Sequence, residues 1–262
     1  MSQITRAFDA LKRKGRKGFI PFIAAGDPDL ETTRELIVEL ARAGATVIEL
    51  GVPFTDPMAD GPVIQRASER ALRHGFDLTE VLQVVFDARK QTDVPIVLFS
   101  YYNPLLQFGI ARLAGEAKSA GVDGVLVTDL VPEEASEFAA VLRANNLDMI
   151  FLVAPTSTDE RLKMVAERAT GFIYAVSRAG ITGAREEMSA EAEKLVKRVR
   201  RFSDLPIAVG FGISTPEHVI GVWRFADAAV VGSALVAEIE RHSNRVELVT
   251  AVGKLARNLS RE

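Results

Sequence analysis

The chain has 262 residues, 48% of them hydrophobic and 26% charged, with a net charge of −3, three histidines and no cysteine. The missing cysteines exclude disulfides, thiolate metal sites and a cysteine nucleophile, and the scattered His74, His218 and His242 lack ligand spacing, so no metal site is expected. The balanced charge gives no basic face for nucleic acid, and no run approaches the roughly 18 apolar residues of a membrane span, so a soluble cytoplasmic protein is expected.

Met1 to Lys17 sets Ile4, Phe8 and Leu11 against Arg6, Lys12, Arg13 and Lys14, a short amphipathic helix with a basic end rather than a secretory h-region. Phe19 to Ala25 is a first buried strand, ended by Gly26-Asp27-Pro28, and Leu30 to Ala43 has helical spacing. A strand over Thr46–Leu50 follows, then helical segments Val63–Leu72 and Leu78–Arg89. The alternation continues with a strand over Pro95–Ser100, a helix over Ile110–Ala120 and a strand over Asp123–Thr128. Next come a helix over Glu133–Ala144, a strand over Asp148–Val153, and a helix over Asp159–Ala169 with Thr158 as its N-cap. Phe172–Ser177, Pro206–Gly210 and Ala228–Val231 are the last three strands. Helices over Ala190–Phe202, Pro216–Arg224, Ala234–Ile239 and Val246–Leu259 separate and close them.

Continuous apolar strands alternating with helices indicate a parallel sheet covered by helices. Eight such units predict an α/β fold, a single (β/α)8 TIM barrel over residues 1–262 with an extra N-terminal helix and a short helix after strand 8. A weak repeat agrees: Ala43 to Leu50 resembles Ala120 to Val127, although any helix-to-strand turn favours such residues.

Active sites of these barrels lie at the C-terminal ends of the strands. Those ends carry Ala25 and Asp27, Glu49, Ser100 and Tyr101, Asp129, Tyr174 and Ser177, Gly210 to Gly212, and Gly232 with Ser233. Glu49 interrupts an apolar strand, and the loop after it holds Asp56 and Asp60. An acid there is either paired with a Lys or Arg, or is half of an acid/base pair whose partner rides on a loop. Gly210 to Gly212 and Gly232-Ser233 stand where these barrels bind phosphate, on backbone amides and a helix N-terminus, or else serve plain turns. Ser177 to Gly183, followed by Arg185, Glu186 and Glu187, is either a mobile lid or an exposed loop. Aromatic and apolar residues at the mouth, Phe22, Phe99, Tyr101, Leu126, Tyr174 and Phe211, suit a flat aromatic ligand with a phosphorylated tail.

The string Glu49-Leu-Gly-Val-Pro-Phe-Thr-Asp-Pro-Met-Ala-Asp-Gly-Pro-Val-Ile-Gln65 resembles the alpha subunits of tryptophan synthase, as do Phe19 to Pro28, Tyr101 to Pro104, Ser177 to Gly183, Val209 to Ser214 and Gly232-Ser233. Thr55, Met58 and Ser100 depart from the usual family residues without removing a group the chemistry needs. The resemblance implies retro-aldol cleavage of indole-3-glycerol phosphate to indole and glyceraldehyde 3-phosphate. It implies Glu49 as general acid/base and Asp60 as acceptor for the indole N–H. It places Phe22, Phe99, Tyr101, Leu126, Tyr174, Thr182 and Phe211 around the substrate, and Gly183, Gly212, Gly232 and Ser233 on the phosphate. It gives Asp129 a supporting or interface role. It further implies a pyridoxal-phosphate beta subunit as partner in an alpha2beta2 heterotetramer, no cofactor on this chain, and a contact through Pro53, Phe54, Pro57, Met58, Asn103, Pro104 and Pro132. A non-catalytic barrel acting as an allosteric partner is the alternative.

Overall fold

The computed structural model describes residues 1–176, 185–210, 212–242 and 244–261, with no side-chain detail for 185–189. The apolar runs form β1 (Gly18–Ala24), β2 (Ile48–Gly51), β3 (Ile96–Ser100), β4 (Gly124–Val127), β5 (Asp148–Val153), β6 (Ile173–Val176), β7 (Ile207–Gly210) and β8 (Ala228–Val231). They pair in chain order, all parallel, and β8 returns onto β1 to close the barrel. The (β/α)8 architecture expected from the alternation is therefore present.

The helices are α1 (Gln3–Arg13), α2 (Leu30–Arg42), α3 (Pro62–Leu72), α4 (Leu78–Ala88), α5 (Tyr102–Phe108) and α6 (Ile110–Ala120). They continue with α7 (Ser136–Ala144), α8 (Asp159–Arg168), α9 (Arg185–Val199), α10 (Pro216–Trp223), α11 (Ser233–Glu240) and α12 (Arg245–Leu259). Local capping sets several starts. Asp29 accepts the Thr32 N–H at 2.7 Å, Thr158 accepts that of Arg161 at 3.2 Å, and Asp77 forms a reciprocal capping box with Glu80.

Three helices differ from expectation. α5 was not expected, because Asn103-Pro104 reads as a turn. Pro104 falls in the first turn, where a missing N–H costs nothing, and the Tyr102 N–H is satisfied by Asp129 Oδ1 at 2.7 Å, a cap from the loop after β4. Gly109, at φ +94°, then separates α5 from α6. α7 starts at Ser136 rather than Glu133, because Glu134 and Ala135 donate to Val131 and Pro132 carbonyls in turns. α9 starts at Arg185, so the charged stretch assigned to the lid is helical backbone.

Two large sets of side chains make most of the core, beside a smaller cluster around Phe22. Leu36, Ile37, Leu40, Val85, Leu98, Leu113 and their neighbours fill the layer between sheet and helices. Ile20, Val47, Val97, Leu126, Ile150, Phe172, Ala208 and Val230 fill the barrel, with Ile4 and Phe8 of α1 belonging to the same cluster. The Phe8 and Phe172 rings sit 5.9 Å apart, so α1 plugs the N-terminal end of the barrel. The other end is left for chemistry.

Candidate active site

Side chains alternate across a strand, so Glu49 shares the inward face of Val47. It lies beside Phe22 on β1 and Val97 on β3. It is 1% exposed, and its Oε1 has no hydrogen-bond partner among the described residues. Among the described residues no Lys or Arg pairs with it, which favours the acid/base alternative over a paired carboxylate. Burial alone pushes its carboxyl well above the ordinary range. Tyr174, also buried, is pushed up by its own burial and then by Glu49.

Asp60 stands on the loop before α3. The Tyr101 hydroxyl donates to its Oδ2 at 3.1 Å and accepts the Ala59 N–H at 2.9 Å. Gln65 donates to the Asp60 carbonyl at 2.9 Å. Burial pushes the Asp60 carboxyl up, and the Tyr101 hydroxyl pulls it back. Phe54 stacks beside Tyr101, ring centroids 5.2 Å apart. The loop is thus pinned by one tyrosine at the end of β3.

Glu49 and Asp60 line one cavity of about 760 Å³ at the C-terminal end of the barrel, with Phe22, Phe99, Tyr174, Gly212, Gly232 and Ser233. The Phe22 and Phe99 rings meet edge to face at 5.3 Å. Gly232 caps α11 and would bring a Cβ within 3.4 Å of Phe22. Gly212, at φ +70°, holds a backbone turn that other residues resist. Leu235 and Val236 donate to the Gly232 carbonyl, which leaves the Ser233 and Ala234 amides at the start of α11 for an anion.

Two expected lining residues sit elsewhere. Leu126 is fully buried in the barrel interior and does not line the cavity. Tyr101 acts on Asp60 from behind rather than from the wall. Thr182, Gly183 and Phe211 lie outside the described residues, as does the expected lid over 177–183. Ser100 is buried and donates to the Tyr101 carbonyl at 3.0 Å, so it is no part of the wall. Pro53 and Pro132 are buried, which removes them from the exposed docking residues, whereas Met58 is 91% exposed. Sequence reading passed over Ile64 of α3, Leu152 to Ala154 at the end of β5, and Arg161, which also line the cavity. The strand-end rule applied to β5 finds Leu152 to Ala154; Arg161 is committed to Glu133 at 2.9 Å.

The opposite end of the barrel holds a cavity of about 680 Å³ around the starts of β4 and β5. Its Lys118, Arg143 and Arg168 occupy the last turns of α6, α7 and α8, where helix dipoles favour cations.

The model of the family described as tryptophan synthase alpha chain matches residues 8–261. The chain belongs to that family. It is 49% identical over 261 residues to the tryptophan synthase alpha chain of Solibacter usitatus, covering 100% of this chain and 98% of that one. It is 53% identical over 241 residues to that of Polynucleobacter necessarius, covering 92% and 91%. Among solved structures, the tryptophan synthase alpha subunit of Legionella pneumophila superposes with a TM-score of 0.90 at 38% identity, covering 99% of this chain and 97% of that one. A chain of the tryptophan synthase α2β2 complex of Pyrococcus furiosus gives 0.87 at 43% identity, covering 92% and 97%. In this barrel Glu49 and Asp60 are two carboxylates brought to one cavity.

Proposed function

We propose that the chain cleaves indole-3-glycerol phosphate to indole and glyceraldehyde 3-phosphate, with Glu49 and Asp60 carrying the chemistry. The bond from indole C3 to the side chain breaks only if C3 takes a proton and the adjacent hydroxyl gives one up as the aldehyde forms. A carboxyl that can change protonation state serves both transfers, and proton transfer of this kind contributes about 10²–10⁴-fold. The observation that carries the assignment is Glu49 itself, 1% exposed on the cavity wall and, among the described residues, unpartnered at Oε1. Its burial favours the protonated form that donates to C3.

Protonating C3 puts positive charge on the ring, and Asp60 faces it. A fixed carboxylate in a water-poor site stabilises such charge, and it accepts the indole N–H. Burial alone opposes an ionised Asp60, so the Tyr101 hydroxyl and the positive charge that develops on the protonated ring are what favour the charged form. The ring packs on Phe22, Phe99 and Tyr174, the phosphate takes Gly183, Gly212, Gly232 and Ser233, and Thr182 and Phe211 are assigned to the substrate in the same reading. Leu126 supports this wall from below.

In the same reading the partner is the beta subunit, in an alpha2beta2 heterotetramer. It holds the pyridoxal phosphate and consumes the indole in the cytoplasm, while this chain works without a cofactor. Met58, exposed beside the Asp60 loop, suits that contact. The test is indole release from indole-3-glycerol phosphate by the purified chain, with and without a cognate beta subunit. Slow release alone and faster release with the partner is the expected result. Substrate binding without release in either condition would refute the enzyme reading and leave a non-catalytic partner.

A further inference from the structure

Arg66 and Arg70 lie one turn apart on the same face of α3. Glu240, the last residue of α11, accepts from both. Arg66 Nε and Nη2 reach its two oxygens at 2.8 and 2.7 Å, and Arg70 Nη1 reaches Oε1 at 2.7 Å. The rest of Arg70 forks onto Asp27, Nε to Oδ1 at 2.8 Å and Nη2 to Oδ2 at 2.9 Å, and the Asp27 side chain is 1% exposed. An acid at a helix C-terminus opposes the helix dipole, so Glu240 does not stabilise α11 by itself. The two guanidiniums account for it, holding its carboxyl down at about 2.

An apolar wedge backs the ions. Phe22 and Ala24 of β1, Ala67 of α3 and Val236 of α11 form one buried cluster with Val63 and Ile64. Each of the three elements carries site residues. Phe22 is on β1, Asp60 and Gly61 lead directly into α3, and Gly232 and Ser233 open α11.

We infer that the Asp27–Arg70–Glu240–Arg66 chain is a positioning clamp, setting the Asp60 loop at α3 in register with the phosphate cradle at α11. The inference rests on the proposed reaction. A substrate held by its phosphate at one end and its indole N–H at the other reacts only if those two supports keep their spacing. A misplacement near 1 Å can cost about 10²-fold in rate. These four residues touch no reacting atom. They act through α3 and α11.

Removing Arg70 strands a buried Asp27 and endangers folding, so the outer half of the clamp is the place to cut. Arg66 and Glu240 are partly exposed, with side chains 48% and 30% accessible. E240Q and R66M are therefore expected to melt near the wild type, because a solvent-screened ion pair contributes little net stability. Each should lower kcat for indole release roughly 10- to 100-fold while KM and the Kd for inorganic phosphate stay near wild type. The R66M/E240Q double variant should lose no more than the worse single, since both cut the same link. R245M, which breaks the Arg245–Glu31 pair of α12 and α2, is the control and should leave kcat unchanged.

Amide hydrogen exchange provides a readout that needs no turnover. Residues 56–61 should exchange faster in E240Q than in the wild type, and phosphate should slow them in the wild type alone. Unchanged kcat in E240Q and R66M, or an equal kcat loss in R245M, would overturn the inference. Exchange at 56–61 identical in wild type and E240Q would also overturn it, whether or not either protein turns over. A wild type that releases no indole yet shows the exchange difference would refute the assigned reaction and retain the clamp.

Discussion

Glu49→Gln tests the electrostatics of the site without any substrate. The unfolded chain ionises Glu49 near the ordinary value of about 4.3, whereas burial keeps the folded carboxyl protonated well above that. Between those two values the folded state holds a proton that the unfolded state has released. Stability of the wild type must therefore fall with rising pH, by about 1.4 kcal/mol per pH unit from this one group. Glutamine fills the same space and cannot ionise, so its variant lacks that slope. Every other titrating group is common to both proteins and cancels in the difference. As pH rises above the ordinary carboxylate range the variant should therefore gain on the wild type, by up to about 1.4 kcal/mol for each pH unit over which the folded carboxyl stays protonated. Urea titrations of both proteins at several pH values measure it. A stability difference that stays flat with pH would refute the assignment of Glu49 as a buried, unpaired carboxyl.

Tyr101→Phe removes the donor to Asp60 and the acceptor of the Ala59 N–H. A hydrogen bond to a charged group contributes about 1.5–3 kcal/mol, so kcat/KM should fall roughly 10- to 100-fold. The acid limb of the pH–rate profile should move up as Asp60 loses a stabilising donor, and an unmoved limb would contradict the role given to Tyr101. Gly210→Ala places a Cβ 2.0 Å from the Tyr174 hydroxyl oxygen and 2.6 Å from Cζ, so the ring must leave its position. KM should rise about 10-fold or more with the circular dichroism spectrum unchanged, and a normal KM would show that Tyr174 does not set the pocket. Arg89→Met strands Asp123, whose side chain is 7% exposed and accepts from Arg89 Nη2 at 2.6 Å. Breaking a buried pair costs about 3–5 kcal/mol. Burial already pushes the Asp123 carboxyl above its ordinary range and losing Arg89 pushes it further, so that penalty should shrink as pH falls toward the ordinary range; a loss independent of pH would point to packing instead.

The strands were legible because they are continuous apolar runs closed by Gly, Pro or a carboxylate, and such runs have few other uses in a chain this long. Helices with their own caps, such as α4 with Asp77 and Glu80, were legible for the same reason. α5 was not, because its cap is Asp129, distant in sequence, and its proline sits in the one turn that tolerates it. Glu49 stood out as an acid inside an apolar strand, but only the barrel shows that no cation among the described residues answers it. Tyr101 illustrates the limit from the other side. Its strand-end position placed it at the mouth, while the direction of its hydroxyl toward Asp60 depends on where a separate loop folds back. Leu126 misled because its position near the end of β4 is also an inward, fully buried one. The Arg66–Glu240 contact joins helices far apart in sequence, and neither residue is unusual on an exposed helix face.

Indole release by Glu49→Gln and by Asp60→Asn, beside the wild type and in the presence of a cognate beta subunit, tests the central claim most directly. Both variants are expected to fold and to bind indole-3-glycerol phosphate, since the apolar wall and the glycine cradle are untouched, and both should release essentially no indole. Near-normal turnover by either folded variant would contradict the assignment of the two carboxylates to this reaction.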